Sequence, residues 1–221
     1  MRYFIVVFII LFITGILSAQ PKIPLTGKDL KSFIPKGWKL TEKKKCDLNN
    51  DRISDYVMVF DNEKLVKDFP QDADHILVIV NGTGKRFIRT GLGLNLYIPK
   101  VNAGVSGSGY DGFLIKTGNI IIKNYSGSSF KFYSEDYFKF INNKWLRVKS
   151  KLRNFHSLET LYCEKLDDFL EGSSYTTNYV TGIEIETHVN EKDCIRKKTS
   201  KKIRIKKLIS LEKFNVNEEY N

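Results

Sequence analysis

Tyr137-Phe138-Lys139-Phe140-Ile141-Asn142-Asn143-Lys144-Trp145-Leu146-Arg147-Val148-Lys149 is the stretch that decides the fold. Two runs of aromatic and aliphatic residues, Tyr137–Ile141 and Trp145–Lys149, flank a pair of asparagines. Asparagine tolerates the positive φ that a tight hairpin turn demands, so the stretch predicts two antiparallel strands. Working outward, Tyr56–Phe60, Ile76–Val80, Arg86–Thr90, Gly112–Lys116, Ile120–Tyr125 and Phe130–Tyr133 are short runs of the same kind. Asn81-Gly82-Thr83-Gly84 and Thr117-Gly118-Asn119 supply further turns. Regular short strands joined in this way predict a mainly β protein, either an antiparallel sandwich or a coiled, barrel-like roll.

One segment departs from that period. Leu158, Leu161, Tyr162, Leu166, Phe169 and Leu170 recur at helical spacing with charges between them, and Gly172 follows. This predicts one accessory amphipathic helix laid over the sheet. Ser173–Asn178 is expected to be polar loop, and Tyr179–Val189 and Lys202–Phe214 returning strands. Asp29–Phe33 suits a single helical turn.

The chain opens with Met1-Arg2, an apolar run from Tyr3 to Ile13 extended through Leu17, and Ser18-Ala19-Gln20. A basic start, an apolar middle and small residues before a polar one form a secretory signal, with cleavage expected after Ala19. The organisation expected is a signal peptide over 1–19, a leader over 20–34, one β-rich domain over 35–214 and a polar tail over 215–221. The mature protein is expected to be periplasmic or secreted, with no membrane span. The net charge of +11 loses only Arg2 with the signal. Much of the excess sits in Arg196, Lys197, Lys198, Lys201, Lys202, Arg204, Lys206 and Lys207. In an exported protein such a strip suits an envelope component or an acidic polysaccharide better than nucleic acid. The alternation of Ile203 and Ile205 with cations also fits the wet side of a half-buried strand, where lysine discourages edge pairing. Three cysteines are too few for a disulfide scaffold, but an oxidising compartment would allow Cys163 and Cys194 to pair, leaving Cys46.

The motif with the most chemistry is Asp47-Leu48-Asn49-Asn50-Asp51-Arg52-Ile53-Ser54-Asp55, which enters the apolar run from Tyr56. Asp47, Asn49, Asp51 and Asp55 bring side-chain oxygens, and Ile53 a backbone carbonyl, at spacing that suits Ca²⁺. An EF-hand would need a glutamate at the twelfth position, which is Met58, so a shorter loop leading into a strand is the better match. The alternative is a solvated turn rich in Asp and Asn. Together with Ile34-Pro35-Lys36-Gly37-Trp38, His75-Ile76-Leu77-Val78-Ile79, Tyr125-Ser126-Gly127-Ser128 and Val180-Thr181-Gly182, the loop resembles a family of small exported bacterial proteins. Those proteins carry a single calcium loop of the FG-GAP/VCBS type. The resemblance implies a β fold and a Ca²⁺ ligand set at Asp47, Asn49, Asp51, Ile53 and Asp55, and brings no activity with it. Arg52 and Cys46 stand where that family usually has glycine, and the Leu158–Leu170 segment looks like an insertion.

No catalytic set assembles from spacing alone. Gly107, Gly109 and Gly112 spell a dinucleotide fingerprint without the strand before it or the helix after it. Ser106 with His75 and Asp72 or Asp74 would make a hydrolytic triad only if the fold joined them. Glu184 and Glu186 share one face of a strand, as a wet face or a glycosidase pair would. Lys131 and Lys139 interleave with Phe130, Phe132, Tyr133, Tyr137, Phe138 and Phe140, as hairpin alternation or a base-stacking surface would require. The expected function is a non-enzymatic exported module, structural or ligand-binding, with a polyanion-binding strand as the first alternative and a hydrolase as the second.

Overall fold

The structure, a computed structural model, describes residues 21–62, 74–97, 109–156, 161–163, 168–170, 173–189, 195–204 and 207–220. The signal peptide expected over 1–19 lies outside them. Two antiparallel sheets build the body, and neither closes on itself. The smaller contains β1 (Thr26–Gly27), β2 (Trp38–Cys46), β3 (Asp55–Asn62), β4 (His75–Gly82) and β5 (Phe87–Gly93), in the order β1-β5-β4-β3-β2. The larger contains β6 (Tyr110–Lys116), β7 (Asn119–Gly127), β8 (Phe130–Ile141), β9 (Lys144–His156), β12 (Ser173–Asn178), β13 (Ile183–Val189) and β14 (Arg196–Lys202). Its order is β14-β13-β12-β9-β8-β7-β6. This is a sandwich, the first of the two expected architectures.

Alternation along β3 and β4 explains why both are apolar throughout. Val57, Val59, Leu77 and Ile79 face the larger sheet, packing with Phe113, Ile120, Ile122, Phe138 and Trp145. Met58, Phe60, Ile76, Val78 and Val80 face the other way and are covered by Ile23 and Phe33. A strand buried on both faces loses the polar half of its alternation. The leader is therefore part of the body: β1 pairs with β5, and a 3-10 helix, Leu30–Phe33, is capped by Asp29, which accepts the Ser32 N–H at 2.9 Å.

The turns behave as expected. Asn142 and Asn143 have φ of 50° and 60°, and Ile141 pairs with Lys144 directly across them. Thr117 and Gly118 do the same between β6 and β7.

Four expectations are corrected. The helix over Leu158–Leu170 is absent from the described part of that segment, where β10 (Leu161–Cys163) pairs with β11 (Asp168–Leu170). β9 and β12 pair from Asn154 and Ser173 inward, which brings the two ends of this segment together, and β10 and β11 form a separate two-stranded ladder. A short amphipathic stretch has no comparable helical gain without a surface to bury its stripe. Second, Ser173–Asn178 is strand β12, not loop, because threonine and tyrosine suit a partly covered sheet. Third, the basic strand ends at Lys202, where a strand was expected to begin. Fourth, the tail is not loose: α1 (Val216–Tyr220) docks with Val216 buried. Among the described residues no helix is long and apolar enough to cross a membrane.

Candidate functional site

The acidic loop links β2 to β3 and folds around its own backbone. Asn50 and Arg52 adopt φ of 60° and 65°. For Arg52 this is the left-handed conformation that costs a side-chain-bearing residue on the order of 1 kcal/mol. The Asp47 carboxylate accepts the N–H groups of Asp51 at 3.2 Å and Arg52 at 2.9 Å. Asn49 donates its amide to Asp51 Oδ2 at 2.8 Å, and Asp51 Oδ1 accepts the Ile53 N–H at 2.7 Å.

Asp55 is different in kind. It is fully buried and accepts the N–H of Leu48 at 2.7 Å, the N–H of Gly82 at 2.9 Å and the Asn81 amide at 3.1 Å. Burial pushes its carboxyl above the usual carboxylate range, the backbone N–H groups pull against that, and the charges of Asp51 and Asp47 add to the rise. Gly82 permits the close approach: a Cβ there would lie 2.5 Å from the Ser54 carbonyl oxygen. Asp55 thus bolts the loop to the end of β4.

The donor set consequently fits Ca²⁺ in part. Asp47, Asn49, Asp51 and the Ile53 carbonyl are hard oxygens on an exposed loop, whereas the Asp55 oxygens are engaged within the protein. No group of three or more His, Cys, Asp or Glu among the described residues is arranged to hold a metal ion. Burial, with the charges of Asp55 and Asp47, raises the neighbouring Cys46 thiol to about 11, so it stays protonated at neutral pH. Cys163 lies in β10 and Cys194 outside the described residues, so their pairing is beyond this description.

The basic strand β14 is the edge of the larger sheet, and every one of its residues is exposed. Register places Lys197 and Lys201 opposite His188 and Glu184, with Lys201 Nζ 2.8 Å from Glu184. Arg196, Lys198 and Lys202 lie on the other face, opposite Val189, Thr187 and Ile183. Arg204 and Lys207 follow the strand, and Lys206 falls outside the described residues.

That second face continues across the sheet in three cross-strand rows. One runs Tyr125, Tyr133, Arg153, Ser174, Thr187, Lys198. The next runs Lys123, Glu135, Lys151, Thr176, Ile185, Ser200, and the third Ile121, Tyr137, Lys149, Asn178, Ile183, Lys202. Lys149 Nζ sits 4.8 Å from the Tyr137 ring centre and Lys131 Nζ 5.6 Å from that of Tyr125. Glu135 lies among these cations, accepting the Tyr133 and Tyr137 hydroxyls and pairing with Lys151 at 3.2 Å. Burial alone would raise its carboxyl, but the hydrogen bonds from Tyr137, Tyr133 and Lys151 outweigh burial and hold it below its ordinary value. A groove of about 530 Å³ opens here between Tyr125, Tyr133, Lys151, Arg153, Ser174 and Thr176. Reading β8 in steps of two, from Lys131 through Tyr133 and Glu135 to Tyr137, would have exposed the pattern. Divided into Phe130–Tyr133 and Tyr137–Ile141, the stretch does not show its single face.

Of the hydrolytic triad candidates, His75 and Asp74 fall within the described residues and Asp72 lies outside them. His75 Nδ1 is 2.7 Å from Asp61 Oδ1, and its ring stacks on Tyr110 at 4.6 Å. Ser106 lies outside the described residues. Glu184 is held below its ordinary value by its hydrogen bond from Lys201, the opposite of what a general acid needs, and Glu186 pairs with His188 at 2.9 Å. No protein-family model matches the chain, and no curated protein does either.

Proposed function

We propose that the mature chain is an exported, non-enzymatic binding module that holds an acidic polysaccharide on the outer face of its larger sheet. The observation that carries this reading is the set of three cross-strand rows, which gathers tyrosine rings and cations on one face around a carboxylate paired with Lys151. Tyrosine faces suit sugar rings, and lysine and arginine suit their acidic groups. The signal-like start at Met1–Ala19 supports an envelope or extracellular partner rather than nucleic acid. The basic strand β14 extends the same face to its edge.

The test is retention on immobilised heparin as a salt gradient is applied. Wild type is expected to bind at low salt and elute as salt screens the contacts. Lys149→Glu/Lys151→Glu and Lys198→Glu/Lys202→Glu are each expected to elute earlier. Unchanged elution of both variants would overturn the reading.

A second reading is supported by the left-handed residues Asn50 and Arg52 in a loop whose three carboxylates form no ion pair among the described residues. Here Asp47, Asn49, Asp51 and the Ile53 carbonyl would hold Ca²⁺, which supplies the counter-charge, while Asp55 anchors the loop. Thermal unfolding with chelator and then with Ca²⁺ tests it. A ligand at a hundredfold excess over its dissociation constant stabilises by about 2.7 kcal/mol. A saturable rise in Tm that disappears in Asp51→Ala is expected, and a flat titration would sink the idea.

A further inference from the structure

On the sheet face opposite those rows, the chain after β14 is attached to the sheet at two places. Its near end is tied where the Ile203 N–H donates to the Gly182 carbonyl at 2.8 Å. Its far end is tied by Arg147 N–H to the Ile209 carbonyl at 2.9 Å and Leu211 N–H to the Trp145 carbonyl at 2.8 Å. Between these attachments lies a cavity of about 400 Å³, whose lining includes Arg147, Tyr179, Ile203, Arg204, Lys207 and Leu208. That size suits one small molecule and not a polymer.

Three properties set the chemistry of an occupant. The side walls are apolar and only half-buried: Ile203, Leu208 and Ile209 keep surface that a hydrocarbon would cover. The cavity's carboxylates are already satisfied, Glu219 by Arg147 at 2.6 Å and Glu184 by Lys201 at 2.8 Å. The exposed cations Arg204 and Lys207, by contrast, form no ion pair among the described residues. At the back, the Arg147 side chain is 2% exposed and its guanidinium lies 4.7 Å from the Tyr179 ring centre.

We propose that this cavity binds a small organic carboxylate with an apolar body. Its carboxylate lies between Arg204 and Lys207, and its hydrocarbon lies against Ile203, Leu208 and the Tyr179 ring. The site is separate from the polysaccharide face and does not depend on it.

Calorimetric titration of the mature chain with decanoate tests this, with decanol and acetate as comparison ligands. Saturable binding of decanoate is expected, with decanol and acetate each weaker by about tenfold or more. Arg204→Gln/Lys207→Gln, at exposed positions where folding is not at stake, is expected to lose about tenfold in decanoate affinity. Lys149→Glu/Lys151→Glu, on the outer face, is expected to bind decanoate as wild type does. Absence of saturable binding overturns the proposal. So does equal affinity for decanol, unchanged binding in the Arg204/Lys207 variant, or a loss confined to the outer-face variant.

Discussion

Arg147 concentrates the buried charge of this protein. Its Nε donates to Asp136 Oδ1 at 2.7 Å and its Nη2 to the Tyr220 hydroxyl at 2.7 Å, and that hydroxyl donates to Asp136 at 2.8 Å. Removing one member leaves the others charged and dry, so Arg147→Met is expected to cost about 3–5 kcal/mol in denaturant unfolding. Asp136 is fully buried, and its Oδ2 has no partner among the described residues. Burial raises its carboxyl from 3.8 to about 6, against the pull of Arg147 and Tyr220. The folded state therefore holds this proton more tightly than the unfolded chain does. Stability from this group is present below about pH 4 and is lost as pH rises through 6. Unfolding midpoints measured across that window should fall with pH in wild type, and Asp136→Asn should flatten the dependence. None of this was legible in the sequence, where Asp136 and Arg147 are two charges among many on strands of alternating pattern.

At the scale of elements, α1 shows how a polar-looking end becomes structural. Asn-Val-Asn-Glu-Glu-Tyr reads as solvated tail, yet Val216 enters the main core and Glu219 and Tyr220 complete the Arg147 network. A chain stopped after Asn215 should therefore lose stability comparable to Arg147→Met. The two changes should combine less than additively, since both break one network. Turns are the opposite case. Asn142-Asn143 and Thr117-Gly118 specify two-residue hairpins by local conformational preference, and the structure follows them. Gly127, at φ of 106°, has no room for a side chain: a Cβ would lie 1.9 Å from the Phe130 carbonyl oxygen. Gly127→Ala should lower the unfolding midpoint, by more than the roughly 0.5 kcal/mol of an ordinary surface change. The β10/β11 arm replaces the expected helix because pairing on both sides of it was already decided by β9 and β12, a fact no local window contains.

Over the whole molecule, the central strands β3 and β4 of the smaller sheet are buried on both sides, and the larger sheet only in part. Its β12–β14 end contributes little to the two core clusters and carries the exposed cations. The leader is the third layer, and Phe33 is its wedge, fully buried over Met58, Phe60 and Val78. Phe33→Ala should cost about 3–5 kcal/mol, as truncation of a buried aromatic does. A loss under 1 kcal/mol in equilibrium unfolding would show that the leader merely rests on the sheet.

By itself the sequence determined what local physics can determine. Its period-two runs and turn residues specified antiparallel strands. The spacing of Asp47, Asn49 and Asp51 curled the β2–β3 connection. Tertiary structure alone decided that Asp55 is a buried anchor, that Asp136, Arg147 and Tyr220 meet, and that tyrosines and cations from four strands form one face. Those outcomes depend on register and on contacts between residues far apart in the chain, and a side chain's local sequence carries no record of its partner across the sheet.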